Sequence, residues 1–78
     1  MKVELYRFDS DGKNIKVGEI TLTDGALTAD TPLAVRVLTE PVYDFTSKKQ
    51  ITSKQGEPFL LSLHRNYRGH ALWATQPK

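Results

Sequence analysis

From Lys2 to Phe8 apolar and polar residues alternate, with Val3 and Leu5 on one side and Lys2 and Glu4 on the other, the period of a half-buried strand. Tyr6 and Phe8 then fall on the side of Lys2 and Glu4, so that side is covered near its end or the strand twists there. Asp9-Ser10-Asp11-Gly12-Lys13-Asn14 is dense in residues that bond their own backbone or accept positive φ, and predicts a hairpin loop. A second strand, Ile15 to Thr23, changes phase within itself: Ile15 and Val17 are odd-numbered, Ile20 and Leu22 even. A bulge at Gly18-Glu19 would return all four to one face. Thr23-Asp24-Gly25-Ala26 is the signature of a type I′ hairpin turn, and register follows from it. Leu22 should face Leu27 and Ile20 should face Ala29.

Asp30 or Thr31 before Pro32 predicts a helix start, followed by two turns from Leu33 to Thr39 and an end before Pro41. Val35 and Val37 around Arg36 also suit a strand, which keeps that alternative open. Val42 to Phe45 and Gln50 to Thr52 read as short extended segments around a Thr46-Ser47-Lys48-Lys49 turn. Gly56-Glu57-Pro58 opens a second helix, in which Phe59, Leu60, Leu63 and Tyr67 form one apolar stripe. Arg65 and Arg68 complement the dipole at its C-terminal end, and Gly69 suits a cap. His70 to Thr75 reads as a last strand pairing beside the first, with Leu72 and Ala74 on one face and Ala71 and Trp73 on the other. The expected fold is α+β: a small antiparallel sheet of about four strands, a β-meander first, with one or two short helices packed on one face. The whole of 1–78 is expected to be a single small domain.

Length and composition narrow this further. Seventy-eight residues allow one core, and Leu, Ile, Val and Phe supply 20 of them, enough to fold. So small a domain has a thin stability margin, which makes self-association a reasonable expectation. There is no cysteine, so neither a disulfide nor a thiolate ligand is available. No apolar run approaches a membrane span, and Lys2 and Glu4 interrupt any signal-peptide core, so a cytoplasmic protein is expected. The formal net charge of +2 conceals an asymmetry: five basic against eight acidic residues through Asp44, and six basic against Glu57 alone from Phe45 onward. The first part is therefore at −3 and the second at +5.

The densest polar cluster runs from His64 to His70. Arg65 and Arg68 can fork to phosphate oxygens, Tyr67 can stack on a base and His70 can donate once protonated, a set suited to nucleic acid. Lys48, Lys49 and Lys54 would extend that footprint if the fold brings them alongside. The same arginines also serve simply as dipole caps, and Tyr67 as the closing residue of the core. His64 and His70 have the chemistry of an acid–base pair for phosphodiester cleavage, but they fall on different elements and nothing in their spacing makes them converge. The Asp9–Asn14 run is not a calcium loop, because glycine stands fourth rather than sixth and Ile20 occupies the twelfth position. No metal and no cofactor are expected. Trp73 is expected in the core beneath a helix; were its face open, Trp73 with Tyr6 or Phe8 would form an exposed aromatic patch of the kind that marks partner sites.

Phe59-Leu60-Leu61-Ser62-Leu63, with Tyr67-Arg68-Gly69-His70-Ala71-Leu72-Trp73-Ala74, resembles the closing third of short uncharacterised bacterial proteins. Those proteins end in a helix, a tyrosine-arginine-glycine corner and a final strand. The resemblance implies a small bacterial cytosolic domain and transfers no activity to any residue. A non-enzymatic protein-binding or structural module is accordingly the first expectation, with Arg65, Tyr67, Arg68 and Trp73 central to it. A nucleic-acid-binding module using the basic second half is the alternative, and a small ribonuclease or toxin-like phosphodiesterase the third reading.

Overall fold

The computed structural model describes residues 1–67 and 71–78. The expected α+β architecture is present. Strands β1 (Lys2–Phe8), β2 (Asn14–Thr23), β3 (Ala26–Ala29) and β6 (Leu72–Ala74) form an antiparallel sheet in the order β3-β2-β1-β6. A second, two-stranded sheet pairs β4 (Val42–Asp44) with β5 (Lys49–Ile51), and the helices are α1 (Pro32–Thr39) and α2 (Glu57–Asn66).

The two hairpins of the meander form for local reasons. Asp9 accepts bonds from the backbone N–H groups of Asp11 and Lys13, each at 2.9 Å, and so closes the β1–β2 loop on itself. At the β2–β3 turn Asp24 and Gly25 have φ of 51° and 80°, the two left-handed positions of a type I′ turn. The register that follows is the expected one, with Leu22 opposite Leu27 and Ile20 opposite Ala29.

The phase change in β2 is a bulge, one residue earlier than Gly18-Glu19. Leu5 pairs with Gly18 and Tyr6 with Lys16, leaving Val17 as the extra residue. Gly18 stays in the ladder because α1 sits on it. A Cβ built on Gly18 would stand 2.6 Å from Thr31 Oγ1 and 2.9 Å from Ala34 Cβ, well inside contact distance. The side chain of Thr31 N-caps α1, accepting from the Ala34 N–H at 3.1 Å, while its own hydroxyl donates to the Val17 carbonyl at 2.9 Å. Asp30 completes the joint by accepting from the Glu19 N–H at 2.7 Å. Capping, Pro32 at the helix start and this joint decide for helix over strand at Pro32–Thr39. Val17, Ile20 and Leu22 all meet the core as expected, whereas Ile15, on the same side, lies beyond the helices and is exposed.

The core lies between the sheet's inner face and the two helices. Val3, Leu5 and Ile20 meet Ala34 and Val37 of α1 and the expected stripe of α2, namely Phe59, Leu60, Leu63 and Tyr67. Val42 and Ile51, paired across β4 and β5, close the far side of the same core. Most boundaries shift by a residue from expectation, and two of the shifts have a local cause. Thr52 leaves β5 to cap a single 3₁₀ turn, Ser53–Gln55, through a capping box with Gln55. The last strand starts at Leu72 rather than His70, because Ala71 adopts φ 54°, which cannot pair as a strand; His70 and the expected cap Gly69 lie outside the described residues. β6 pairs beside β1, and the antiparallel contact runs on past it through reciprocal backbone bonds between Lys2 and Lys78 at 2.8 and 3.0 Å.

The Gly18 joint predicts non-additive energetics. Gly18→Ala should cost about 1–3 kcal/mol through overpacking and Thr31→Ala about 1 kcal/mol through loss of the cap. The double variant should cost less than the two together, because removing Thr31 Oγ1 relieves part of the clash. Urea denaturation of all three variants checks this, and additivity within about 0.5 kcal/mol would count against the joint.

Candidate functional site

Both helices pack on the Val3–Leu5–Ile20 side of the sheet, so the other side is open. Alternation along β1 places Lys2, Glu4, Tyr6 and Phe8 on it, and the register adds Asn14, Lys16, Glu19 and Thr21 from β2 and Trp73 from β6. Tyr6 and Trp73 sit directly opposite each other and stack, with ring centroids 5.0 Å apart and planes 20° from parallel. The Trp73 indole N–H donates to Asn14 Oδ1 at 3.1 Å, tying β6 to β2 across β1. Phe8, two residues beyond Tyr6, is 62% exposed. Trp73 is thus a half-buried member of an open aromatic row, which corrects its expected place under a helix.

Around the stack runs a chain of paired charges. The Tyr6 hydroxyl donates to Glu4 Oε2 at 2.7 Å, Lys16 lies between Glu4, at 3.6 Å, and Glu19, and Lys2 reaches Glu19 at 3.5 Å. The Tyr6 hydrogen bond, with Lys16 behind it, holds the Glu4 carboxyl below its ordinary range. Tyr6 is correspondingly harder to ionise because its proton is donated to Glu4. Glu19 is lowered by Lys16, and Lys16 is raised by Glu19. Two lysines and two glutamates leave this part of the face without net charge. A shallow cleft lined by Lys2, Glu4, Thr75, Gln76 and Lys78 continues it toward the C-terminus.

Among the described residues, those singled out from sequence are not brought together as one basic footprint. Arg65 is exposed in the last turn of α2, close enough to Asp44 to help hold that carboxylate low, although the Ser47 and Thr46 hydrogen bonds are the main causes. Lys48 and Lys49 lie in and beside the turn that follows Asp44, so they share Arg65's end of the molecule. Lys54 precedes the N-terminus of α2, at the opposite end of that helix. Tyr67 is a core residue, 5% exposed, and so offers no ring on which a base can stack. Burial pushes its hydroxyl up to about 12, and the facing Glu40 carboxylate adds to the shift. His64 turns toward β6, where its Nδ1–H donates to the Ala74 carbonyl at 3.0 Å, since a carbonyl can only accept. Arg68 and His70 lie outside the described residues. Among the described residues no group of three or more His, Asp or Glu is placed to hold a metal ion, and no helix is long and apolar enough to cross a membrane.

Asn14, Lys16 and Glu19 escaped the sequence reading: alternation put Asn14 and Lys16 opposite Ile15 and Val17 without showing which partners they meet, and the place of Glu19 depends on a bulge position that pattern alone located one residue off. Tyr6 and Phe8 did leave a signal, in falling on the polar side of β1.

Two titrations follow. Glu4 and Glu19 are lowered, so their paired charges are intact above the ordinary carboxylate pKa near ~4.3 and are lost as pH falls through the lower values of the folded state. Fluorescence of the sole tryptophan, Trp73, should report that loss, and Lys16→Gln should move it to higher pH. An unmoved midpoint would argue against the network. Tyr67 is raised, so its contribution to stability is complete below ~10 and is lost as pH climbs toward 12. Tyr67→Phe should accordingly remove the late component of the tyrosinate absorbance titration. No protein-family model, curated protein or solved structure matches the chain.

Proposed function

We propose that this chain is a protein-interaction module that docks a partner protein on the open face of its four-stranded sheet. The observation that carries the reading is the Tyr6–Trp73 stack with Phe8 beside it, on a sheet face that neither helix covers. Trp and Tyr are the side chains that most often anchor protein interfaces, because each buries ~150–250 Å² while its polar tip finds a hydrogen bond. Both tips are already oriented, by Glu4 and Asn14, so little side-chain freedom is left to lose on docking.

The charge arrangement favours protein over nucleic acid at this face. Lys2 and Lys16 each lie against a carboxylate, so the face presents alternating signs rather than a positive field. A partner with interspersed charges and an apolar centre complements that pattern. Size sets the affinity class: four strands at ~4.8 Å spacing and about seven residues of ~3.3 Å rise give roughly 400 Å² of projected area. That is below the ~800 Å² per partner of a standard interface, which suits a transient partner. No step of this reading requires turnover, and the chain is read as non-enzymatic.

A photo-crosslinking residue at Thr21 on the open face, compared with one at exposed Val35 on α1, tests the proposal. Discrete protein adducts should form in cell extract from position 21 and not from 35, and should disappear when Trp73→Ser and Phe8→Ser are added. Equal labelling from both positions, or adducts indifferent to the aromatic substitutions, would refute the docking face.

A further inference from the structure

We infer that β3 is a self-pairing edge, through which two copies of this chain join, strands antiparallel, into one continuous sheet. The contact lies on the rim of the sheet and uses none of its open face, so it goes beyond the protein-docking reading and does not rest on it.

Backbone alternation fixes which groups this edge offers. In the type I′ hairpin Thr23 and Ala26 flank the turn residues and exchange both backbone bonds, which makes Thr21 and Thr28 the next bonded pair. Two bonds show the same phase. The Asp30 N–H donates to the Glu19 carbonyl at 3.3 Å, and the Leu22 N–H points the other way, to the Met1 carbonyl at 2.7 Å. Leu27 and Ala29 therefore turn their N–H and C=O groups away from β2. β3 ends the sheet, and among the described residues no backbone bond from elsewhere in the chain meets those groups. The opposite rim is different. Thr75 bonds to Glu4 on the β1 side, so Ala74 turns its carbonyl outward, where the His64 Nδ1–H from α2 takes it at 3.0 Å.

β3 also lacks the devices that keep strands from pairing. Ala26-Leu27-Thr28-Ala29 holds no charge and no proline, and its ladder with β2 runs without a bulge. A two-fold axis at Thr28 sets Leu27 opposite Ala29 of the second copy, and Ala29 opposite its Leu27, so every outward group on both strands finds a partner. Thr28 then meets Thr28 of the second copy on the open side, in the close non-bonded pairing where two threonines interact favourably. On the inner side, half-buried Leu27 and Ala29 already pack against the core, and the same residues of the second copy extend that apolar layer. Symmetric pairing sets identical residues face to face, which a charged edge would resist and this neutral one accepts. A foreign strand needs its own sequence to match this phase, whereas a second copy carries the match by symmetry. Four residues at ~3.3 Å rise give roughly 13 Å of edge, too little for the ~800 Å² per partner of a standard interface, so the dimer is weak and forms at high concentration.

Sedimentation equilibrium of the whole chain from micromolar to millimolar concentration, with amide hydrogen exchange at both ends of the range, tests this edge. Mass should rise from one chain toward two, and the Leu27 and Ala29 amides should gain protection as it does. Thr28→Lys, at an exposed position, sets like charges against each other at the axis and should weaken the dimer about tenfold. Thr28→Glu should do the same, and an equimolar mixture of the two variants should recover the dimer as a heterodimer. Trp73→Ser, on the open face, should leave the mass curve unchanged. A chain that stays monomeric at millimolar concentration leaves the edge to a strand of another protein and overturns the inference. So does a dimer indifferent to both Thr28 variants, a mixture of them that fails to pair, or loss of the dimer in Trp73→Ser, which would move the contact to the open face. The exchange measurement needs no substitution, and unchanged Leu27 and Ala29 amides in a dimer would overturn the inference even if a Thr28 variant unfolds.

Discussion

Everything on the helix side of the sheet depends on how closely α1 can approach β2, and that distance is set where Gly18 meets the Thr31 cap. With hydrogen at Gly18, the hydroxyl of Thr31 can bridge the bulge carbonyl of Val17 and the helix N–H of Ala34 at once. Any side chain there would have to push the helix away, and Ala34 and Val37 with it, from Ile20 and Leu5. The bulge has a second consequence. By shifting the register between Leu5 and Tyr6 it keeps Ile20 and Leu22 inward while Lys16 and Glu19, three positions apart, both emerge on the outer face. A regular strand would send one of them inward. The joint that seats α1 therefore also assembles the charge chain on the opposite surface.

The open face follows from chain direction as much as from packing. After the meander, α1 returns along the inner side, the β4–β5 hairpin and α2 stay on that side, and β6 comes back to pair with β1. The His64 bond to the Ala74 carbonyl ties α2 to β6 directly. With both helices on one side, the residues facing the other way must be tolerable in water. Trp73 and Tyr6 meet that demand by stacking on each other and bonding to Asn14 and Glu4; Phe8 has no polar tip and stays exposed.

What could be read from residues alone was whatever a few neighbours decide. Asp24-Gly25 set a turn type and, by counting outward, the β2–β3 register. Asp30 or Thr31 before Pro32 pointed to a capped helix while Val35 and Val37 kept a strand open, and the Phe59, Leu60, Leu63, Tyr67 spacing announced a buried stripe. Trp73 was misplaced for the converse reason: alternation in β6 says that it opposes Leu72 and Ala74, but only the side chosen by two distant helices says which of those faces is covered. Whether Lys54 lies alongside Arg65 was likewise beyond the reach of the residues alone. Lys54 and Arg65 are eleven positions apart in a charge tally, yet a helix separates them in space.

The charge asymmetry of the chain acquires a physical meaning once the acids are located. Asp9 closes a loop, Asp30 holds β2 at Glu19, two residues past the bulge, and Asp44 orders a turn, each by accepting backbone N–H bonds, while Glu4 and Glu19 lie against lysines on the sheet. The acidic excess of the first part is thus directed largely at the chain itself. The bases of the second part have no comparable structural employment in the turn where Lys48 and Lys49 lie, since the bonds that order it come from Asp44. The total of +2 therefore understates how unevenly the charges are committed, since five of the nine acidic residues are bound to the chain's own N–H groups or lysines.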